Sequence, residues 1–254
     1  MILAVDVGNT HTVIGLYQGK QLTHHWRLLT EAERTADEYG VLLRSLFSAY
    51  ELMFSAVQGI ALSCVVPPMN NVMEELAQKY FRMHPLVVGP GIKTGMPILY
   101  DNPREVGADR IVNAVAAYER YRDVTIVVDF GTATTFDFVT AAGEYLGGAI
   151  VPGVGISLDA LYHKTAKLYR VEMAKPPRVV GRNTIHAIQS GIIYGYVAMV
   201  DGLVRRIQDE NGVTARVFAT GGFAQLLAPE SETIEEVDEF LTLDGLRILH
   251  ERNR

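Results

Sequence analysis

Twice along this chain a run of β-branched residues ends on an aspartate and enters a turn of glycine with small hydroxyl or amide residues. The first copy is Ile2-Leu3-Ala4-Val5-Asp6-Val7-Gly8-Asn9-Thr10-His11-Thr12-Val13 and the second is Thr125-Ile126-Val127-Val128-Asp129-Phe130-Gly131-Thr132-Ala133-Thr134-Thr135. Aligned on Asp6 and Asp129, both have valine one residue before, glycine two after and threonine six after. An isolated Asp-x-Gly after a strand makes an ordinary hairpin. Its repetition points instead to one strand-turn-strand unit used twice.

Such a turn exposes backbone N–H groups that no side chain screens, and a concave set of them binds phosphate oxygens. The aspartate at the strand end adds a hard anionic oxygen suited to Mg²⁺, directly or through water. Two such turns facing each other would hold a triphosphate from both sides.

With 254 residues, 48% of them apolar, the chain can bury a sizeable core as one large domain or two small ones. The repeat favours two, divided near residue 118: 1–118 and 119–254. Net charge is −6 and the basic residues are scattered; Arg205 and Arg206, the nearest thing to a cluster, are flanked by Asp201 and Asp209. No nucleic-acid partner is expected from that pattern. The single cysteine, Cys64, lies in the apolar run 60–66, excludes an intramolecular disulfide and reads as a buried small hydrophobe. A strand begins within two residues of Met1 with no basic segment before it, and no stretch approaches 18 continuous apolar residues. A cytoplasmic protein with no membrane partner is the expectation.

Strands are predicted over 2–6, 11–17 and 21–29, the last two joined by Gly19-Lys20. Thr35-Ala36-Asp37-Glu38 has the form of a capping box and predicts a helix to about Ala49, with Tyr39, Leu42, Leu43 and Leu46 on one face. A buried strand over 57–66 and a helix over 69–80, opened by Pro67-Pro68, follow. Four of the ten prolines fall between Pro85 and Arg104, which predicts mostly loop. A helix is predicted from about Glu105 to Tyr121. The second half then repeats the order with a hairpin to Thr140, a glycine-rich stretch over 147–153, and helices. Residues 183–207 are helical in length and apolar nearly all round, so they must be covered on more than one side. Burial inside one subunit or a homodimer interface would do this, and the dimer is the expectation.

Other phosphate and metal motifs are missing. The segment 15–21 resembles a P-loop but is one residue short and has Gln21 where a Ser or Thr would bind magnesium. No His-Glu-x-x-His or paired Cys-x-x-Cys occurs, so no zinc is implied. The seven histidines are dispersed.

Asp6-Val7-Gly8-Asn9-Thr10, Gly107-Ala108-Asp109-Arg110, Asp129-Phe130-Gly131-Thr132-Ala133-Thr134, the 147–153 stretch and Thr220-Gly221-Gly222 together resemble the type III pantothenate kinases, in order and over essentially the whole chain. These kinases belong to the acetate and sugar kinase, Hsp70 and actin superfamily. The resemblance implies an α/β fold of two ribonuclease H-like, actin-like ATPase domains, with mixed sheets flanked by helices and a nucleotide cleft between them. It further implies transfer of the γ-phosphoryl of ATP to the primary hydroxyl of pantothenate, giving 4′-phosphopantothenate, the first step of coenzyme A synthesis. Implied roles follow residue by residue. Asp6, Val7, Gly8, Asn9, Thr10, His11, Thr12 and Val13 would form the first phosphate loop, with Asp6 positioning magnesium. Thr132 would touch ATP phosphate, and Gly221 and Gly222 would lie near the adenosine. Asp109 would be the catalytic base, and Asp129 would bind potassium or ammonium. Tyr100, Gly107, Ala108, Asp109, Arg110 and Thr184 would line the pantothenate site, Thr184 from the neighbouring subunit of a homodimer.

Plain chemistry leaves room beside these roles. Asp109 near a helix start is favoured by the helix dipole in any case, and its base role needs no shifted pKa. Arg110 would pair with a substrate carboxylate or carbonyl, or with a surface acid. Tyr100 walls a small polar substrate or is simply an exposed loop tyrosine. Thr184 neighbours a helix N-cap. Another kinase of the same superfamily and a non-catalytic nucleotide-binding accessory factor for transcription are the alternatives, and the intact Asp6, Asp109 and Asp129 set argues against the second.

Overall fold

In the computed structural model, which describes residues 1–165, 168 and 170–254, the first repeat folds as β1 (Ile2–Val7), β2 (His11–Gln18) and β3 (Gln21–Leu29), antiparallel in sequence. The capping box forms as expected. Thr35 accepts from the Glu38 N–H and the Glu38 carboxylate accepts from the Thr35 N–H, opening α1 (Ala36–Ala49). β4 (Gly59–Cys64) then runs parallel to β1, and α2 (Pro67–Leu76) takes its two prolines into its first turn, where no N–H partner is needed. A single π turn over 77–81 ends on the left-handed Arg82 and leads to the short β5 (Leu86–Val87).

The helix expected from Glu105 begins later, as α3 (Ala108–Tyr121), because 103–105 form a separate 3₁₀ turn and Val106 is extended. The second repeat is β6 (Thr125–Phe130), β7 (Ala133–Val139) and β8 (Tyr145–Pro152). The glycine-rich 147–153 stretch is thus strand up to Pro152. α4 (Val154–Lys164), α5 (Thr184–Asn211), β9 (Arg216–Thr220), α6 (Ala224–Leu227), β10 (Glu236–Val237) and α7 (Leu241–Arg252) complete the chain.

The duplication read in sequence is repeated by topology. One sheet has the order β3-β2-β1-β4-β5 and the other β8-β7-β6-β9-β10. In each, two antiparallel pairings lie on one side of the aspartate strand and parallel pairings on the other. The fold is α/β with mixed sheets flanked by helices.

The chain divides into two compact units. The first comprises Met1–Met96, Asp101–Ala116 and Leu241–Arg254, and the second Pro97–Tyr100 and Ala117–Phe240. The division falls inside α3. Unlike the expected 119–254 grouping, α7 belongs to the first unit, where it packs on β1 and β4. An amphipathic helix goes wherever an apolar face is open to it, and chain order has no say.

Alternation puts each aspartate on a chosen face. Leu3, Val5 and Val7 of β1 join Tyr39, Leu43 and Phe47 of α1 and Met69 and Met73 of α2 in the first core, so Asp6 turns to the other side. In the second unit Ile126, Val128 and Phe130 pack with Ile193, Val197, Val200 and Val204 of α5, and Asp129 turns away likewise. Each fully buried aliphatic side chain contributes roughly 1.5–3 kcal/mol, enough to fix register against slippage. By length and composition α5 could cross a membrane, yet half of its most apolar window is buried in the protein, as in a core helix.

Candidate active site

The β1–β2 turn closes on itself: the Gly8 N–H donates to His11 O at 3.0 Å, and Thr30 N–H donates to Thr10 O at 3.0 Å. Asn9, Thr10 and His11 are exposed, while Thr12 is buried with its hydroxyl 2.9 Å from that of Thr30. Asp6 is half-buried at the strand end, opposite Val13 on one side and Ser63 on the other. Burial, then the Arg27 charge, lowers the His11 pKa, so its ring is neutral at neutral pH. Cys64 is half-buried rather than fully buried; burial, and to a lesser extent Asp6, raise its thiol pKa.

In the same unit Gly107-Ala108-Asp109-Arg110 open α3. Asp109 Oδ1 accepts from the Arg110 N–H at 2.8 Å. A Cβ added to Gly107 would stand 2.5 Å from that oxygen and no closer than 3.7 Å to any other atom, so glycine makes room for this carboxylate specifically. Burial raises the Asp109 pKa, against the opposing hydrogen bond and charge of Arg110. The sequence required no such shift; it arises because the first turn of α3 is set into the protein. Arg110 is itself buried, which removes the reading of a surface ion pair. A desolvated carboxylate beside a buried guanidinium suits proton acceptance from an alcohol on a substrate that carries negative charge.

The second turn shows a difference that alignment hides. Val7 lies opposite Thr12, whereas Phe130 lies opposite Thr134, so the second turn is one residue shorter. The structural equivalent of Thr12 is therefore Thr134, not the Thr135 suggested by equal spacing from the aspartates. Asp129 pairs with Thr135 on β7 and with Thr220 on β9. Gly221 follows with φ +90°, and a Cβ there would lie 2.5 Å from Asp129 Oδ1 and 2.6 Å from Phe130 C. Thr132 O accepts from the Gly153 N–H at 3.1 Å, which ties the turn to the end of β8. Asp129 and Gly221 are thereby brought together, with Thr132 three residues further on in the same turn, and Gly222 is exposed at the start of the α6 turn. Carboxylate and carbonyl oxygens are the donors that hard cations take.

Tyr100 lies in the second unit, half-buried, stacked at a tilt against Tyr145 with ring centroids 6.4 Å apart. Thr184 is the first residue of α5, exposed, after an Asn183 N-cap that accepts from the His186 N–H at 2.8 Å. It borders an open groove with Leu161, Arg182, Ile188 and Ile192. Among the described residues no cluster of three or more His, Cys, Asp or Glu could hold a metal alone. A magnesium ion at Asp6 would thus complete its shell with water and phosphate oxygens, its usual habit. One buried acid escaped the sequence reading: Asp137, fully buried on β7. An acid inside the apolar alternation Phe136-Asp137-Phe138-Val139 was the available signal.

The type III pantothenate kinase family profile matches residues 2–206. A type III pantothenate kinase of Pelobacter propionicus is 59% identical over 254 residues, covering all of both chains. Among solved structures, a Baf family transcriptional activator from Campylobacter jejuni superposes with TM-score 0.61 at 19% identity, covering 99% of this chain and 98% of that one. MreB 5 of Spiroplasma citri bound to AMPPNP superposes with TM-score 0.55 at 10% identity, covering 98% and 96%. These distant likenesses establish the two-domain actin-like ATPase fold and nothing beyond it.

Proposed function

The chain belongs to the type III pantothenate kinases, and from that membership and the geometry above we infer that it phosphorylates pantothenate with ATP, giving 4′-phosphopantothenate for coenzyme A synthesis. The observation that carries the reading is the pair of Asp-Gly turns set on the aspartate strands of two sheets of identical topology. A single such turn would serve a hairpin; two with the same strand environment serve a phosphate chain.

The residues have distinct tasks. N–H groups of the 8–13 turn receive phosphate oxygens, and Asp6 holds magnesium, which when bound neutralises charge on the β- and γ-phosphates. Thr132 reaches phosphate, and Gly221-Gly222 give the nucleoside an approach free of side chains. Asp129, with the turn carbonyls beside it, holds potassium or ammonium. Tyr100 walls pantothenate, Arg110 faces its carboxylate or carbonyl, and Asp109 takes the proton of its primary hydroxyl. Phosphoryl transfer passes through a loose transition state, so the proton leaves late and the base mainly orients the alcohol.

The assembly is a homodimer built on α5, with Thr184 completing the partner's acceptor site. Ile188, Ile193, Val197 and Val200 fill one side of the helix inward, while Ile185 is exposed and Gly191, Gly195 and Gly202 have open space where a Cβ would be. Small residues in a row let a second backbone approach closely. The enzyme works in the cytoplasm, without nucleic-acid or membrane partners.

The test is ADP release dependent on both ATP and pantothenate, requiring Mg²⁺ and rising with potassium or ammonium. A protein that releases no ADP with pantothenate but does with another hydroxyl acceptor would overturn the assignment. Sedimentation as a monomer at micromolar concentration would remove the dimer.

A further inference from the structure

Asp137 has no part in the scheme above, and its setting asks for one. It sits on β7 with no solvent exposure, flanked along the strand by Phe136, Phe138 and Val139. Burying a carboxylate is costly unless several donors meet it, and apolar residues in its place would stabilise the sheet as well or better. Two donors do meet it: the Tyr145 hydroxyl at 2.7 Å on Oδ1 and the Thr135 hydroxyl at 3.2 Å on Oδ2.

Both donors lead to the proposed site. Thr135 is the sheet partner of Asp129, so Asp129, Thr135 and Asp137 share one face of the sheet. Tyr145 reaches that face through an irregularity in β8. Phe138 pairs with Gly147 but Val139 pairs with Tyr145, and the extra residue turns the Tyr145 ring to the side of Asp137. Tyr145 then holds Tyr100 in two ways. Its backbone N–H donates to Pro97 O at 2.9 Å and its carbonyl accepts from the Leu99 N–H at 2.8 Å, fixing the loop as a short bridge at Ile98. Its ring packs against the Tyr100 ring, which also rests where a Cβ on Gly147 would be, 2.9 Å away.

We propose that Asp137 is a positioning residue for the acceptor: through the Tyr145 hydroxyl it fixes Tyr100, and through Thr135 it ties that wall to the Asp129 cation site. The inference rests on the reading of Tyr100 as the pantothenate wall. Asp137 touches no substrate; it sets where the ring that does so stands. A displacement of about 1 Å in a positioning group can cost on the order of a hundredfold, and a buried anion holds its donors more tightly than a neutral acceptor does.

Steady-state kinetics of Tyr145→Phe, Asp137→Asn, Tyr100→Ala and the Tyr100→Ala/Tyr145→Phe double variant test this. Tyr145→Phe and Asp137→Asn are expected to raise the KM for pantothenate about tenfold or more. The KM for ATP should stay within roughly twofold, and in the Tyr100→Ala background the Tyr145→Phe change should add almost nothing. If Tyr100→Ala raises the pantothenate KM and Tyr145→Phe does not, the inference falls while the reading of Tyr100 stands. If Tyr100→Ala has no effect, the Tyr100 reading itself is wrong. A parallel rise in both KM values with additive effects would make the network merely structural and also overturn the inference. Tyr145→Phe keeps the ring and the carboxylate, so it carries the test alone if Asp137→Asn does not fold.

Discussion

Gly107→Ala isolates the placement of the carboxylate proposed as the base, Asp109, from everything else in the fold. The new methyl carbon would lie 2.5 Å from Asp109 Oδ1, with its next neighbours at 3.7 and 3.8 Å. To reach ordinary contact at 3.4 Å the oxygen must retreat by about 0.9 Å (3.4 − 2.5), because nothing else is close enough to yield. That movement breaks the 2.8 Å bond from the Arg110 N–H and withdraws the base from the alcohol it serves. A misplacement of about 1 Å costs on the order of 10²-fold in turnover, equivalent to about 2.7 kcal/mol of barrier at about 1.36 kcal/mol per factor of ten. The cost in stability is bounded: losing a hydrogen bond to the carboxylate costs about 1.5–3 kcal/mol at most. Against it stands about 0.4–1 kcal/mol from restricting the unfolded chain. The assay is kcat with saturating ATP and pantothenate, alongside thermal unfolding. A kcat within threefold of the parent, with an unchanged melting temperature, would mean that Asp109 does not act from the position described. A large drop in melting temperature would mean that the methyl group is felt elsewhere.

Three further outcomes follow from separate features. Burial raises the Asp109 pKa, so the acid limb of the kcat profile should fall at a pH above the ordinary aspartate range. The same shift stabilises the fold at low pH and is lost as pH rises through the folded value. Asp109→Asn should therefore cut kcat by about 10² or more without lowering the melting temperature at pH 7. A limb at the ordinary carboxylate value, or a clear loss of stability in that variant, would contradict the burial argument. Gly221→Ala places a side chain at φ +90° and 2.5 Å from Asp129 Oδ1. It should cost about 1–3 kcal/mol in urea unfolding and weaken potassium activation; unaltered unfolding and activation curves would refute both. Thr35→Ala removes the hydroxyl half of the capping box of α1, the acceptor of the Glu38 N–H, while the bond from its backbone N–H to the Glu38 carboxylate stays, and should cost about 1 kcal/mol. An unshifted denaturation midpoint would show that α1 is held by packing alone.

Local chemistry made much of this protein legible in advance. The Thr35 box, the Pro67-Pro68 helix start and the two strand-turn-strand units all depend on residues within one turn or strand of each other. Their physics is complete before the chain folds. The candidate residues were legible for the same reason: a strand-end aspartate before a glycine turn carries its chemistry with it. Asp137 escaped because an acid in an apolar strand has meaning only once the residues facing it are known.

Tertiary structure alone decided the rest. Equal spacing from the aspartates matched Thr12 with Thr135, but cross-strand register matches it with Thr134, because a turn one residue shorter closes equally well when the flanking strands bury the same faces. The sheet that α7 covers, the desolvation that lifts the Asp109 pKa and the bulge that swings Tyr145 onto Asp137 all come from surfaces distant in sequence meeting in space. Hydrophobic burial carries no direction along the chain, so a residue pattern can name the faces that must be covered but not the segments that will cover them.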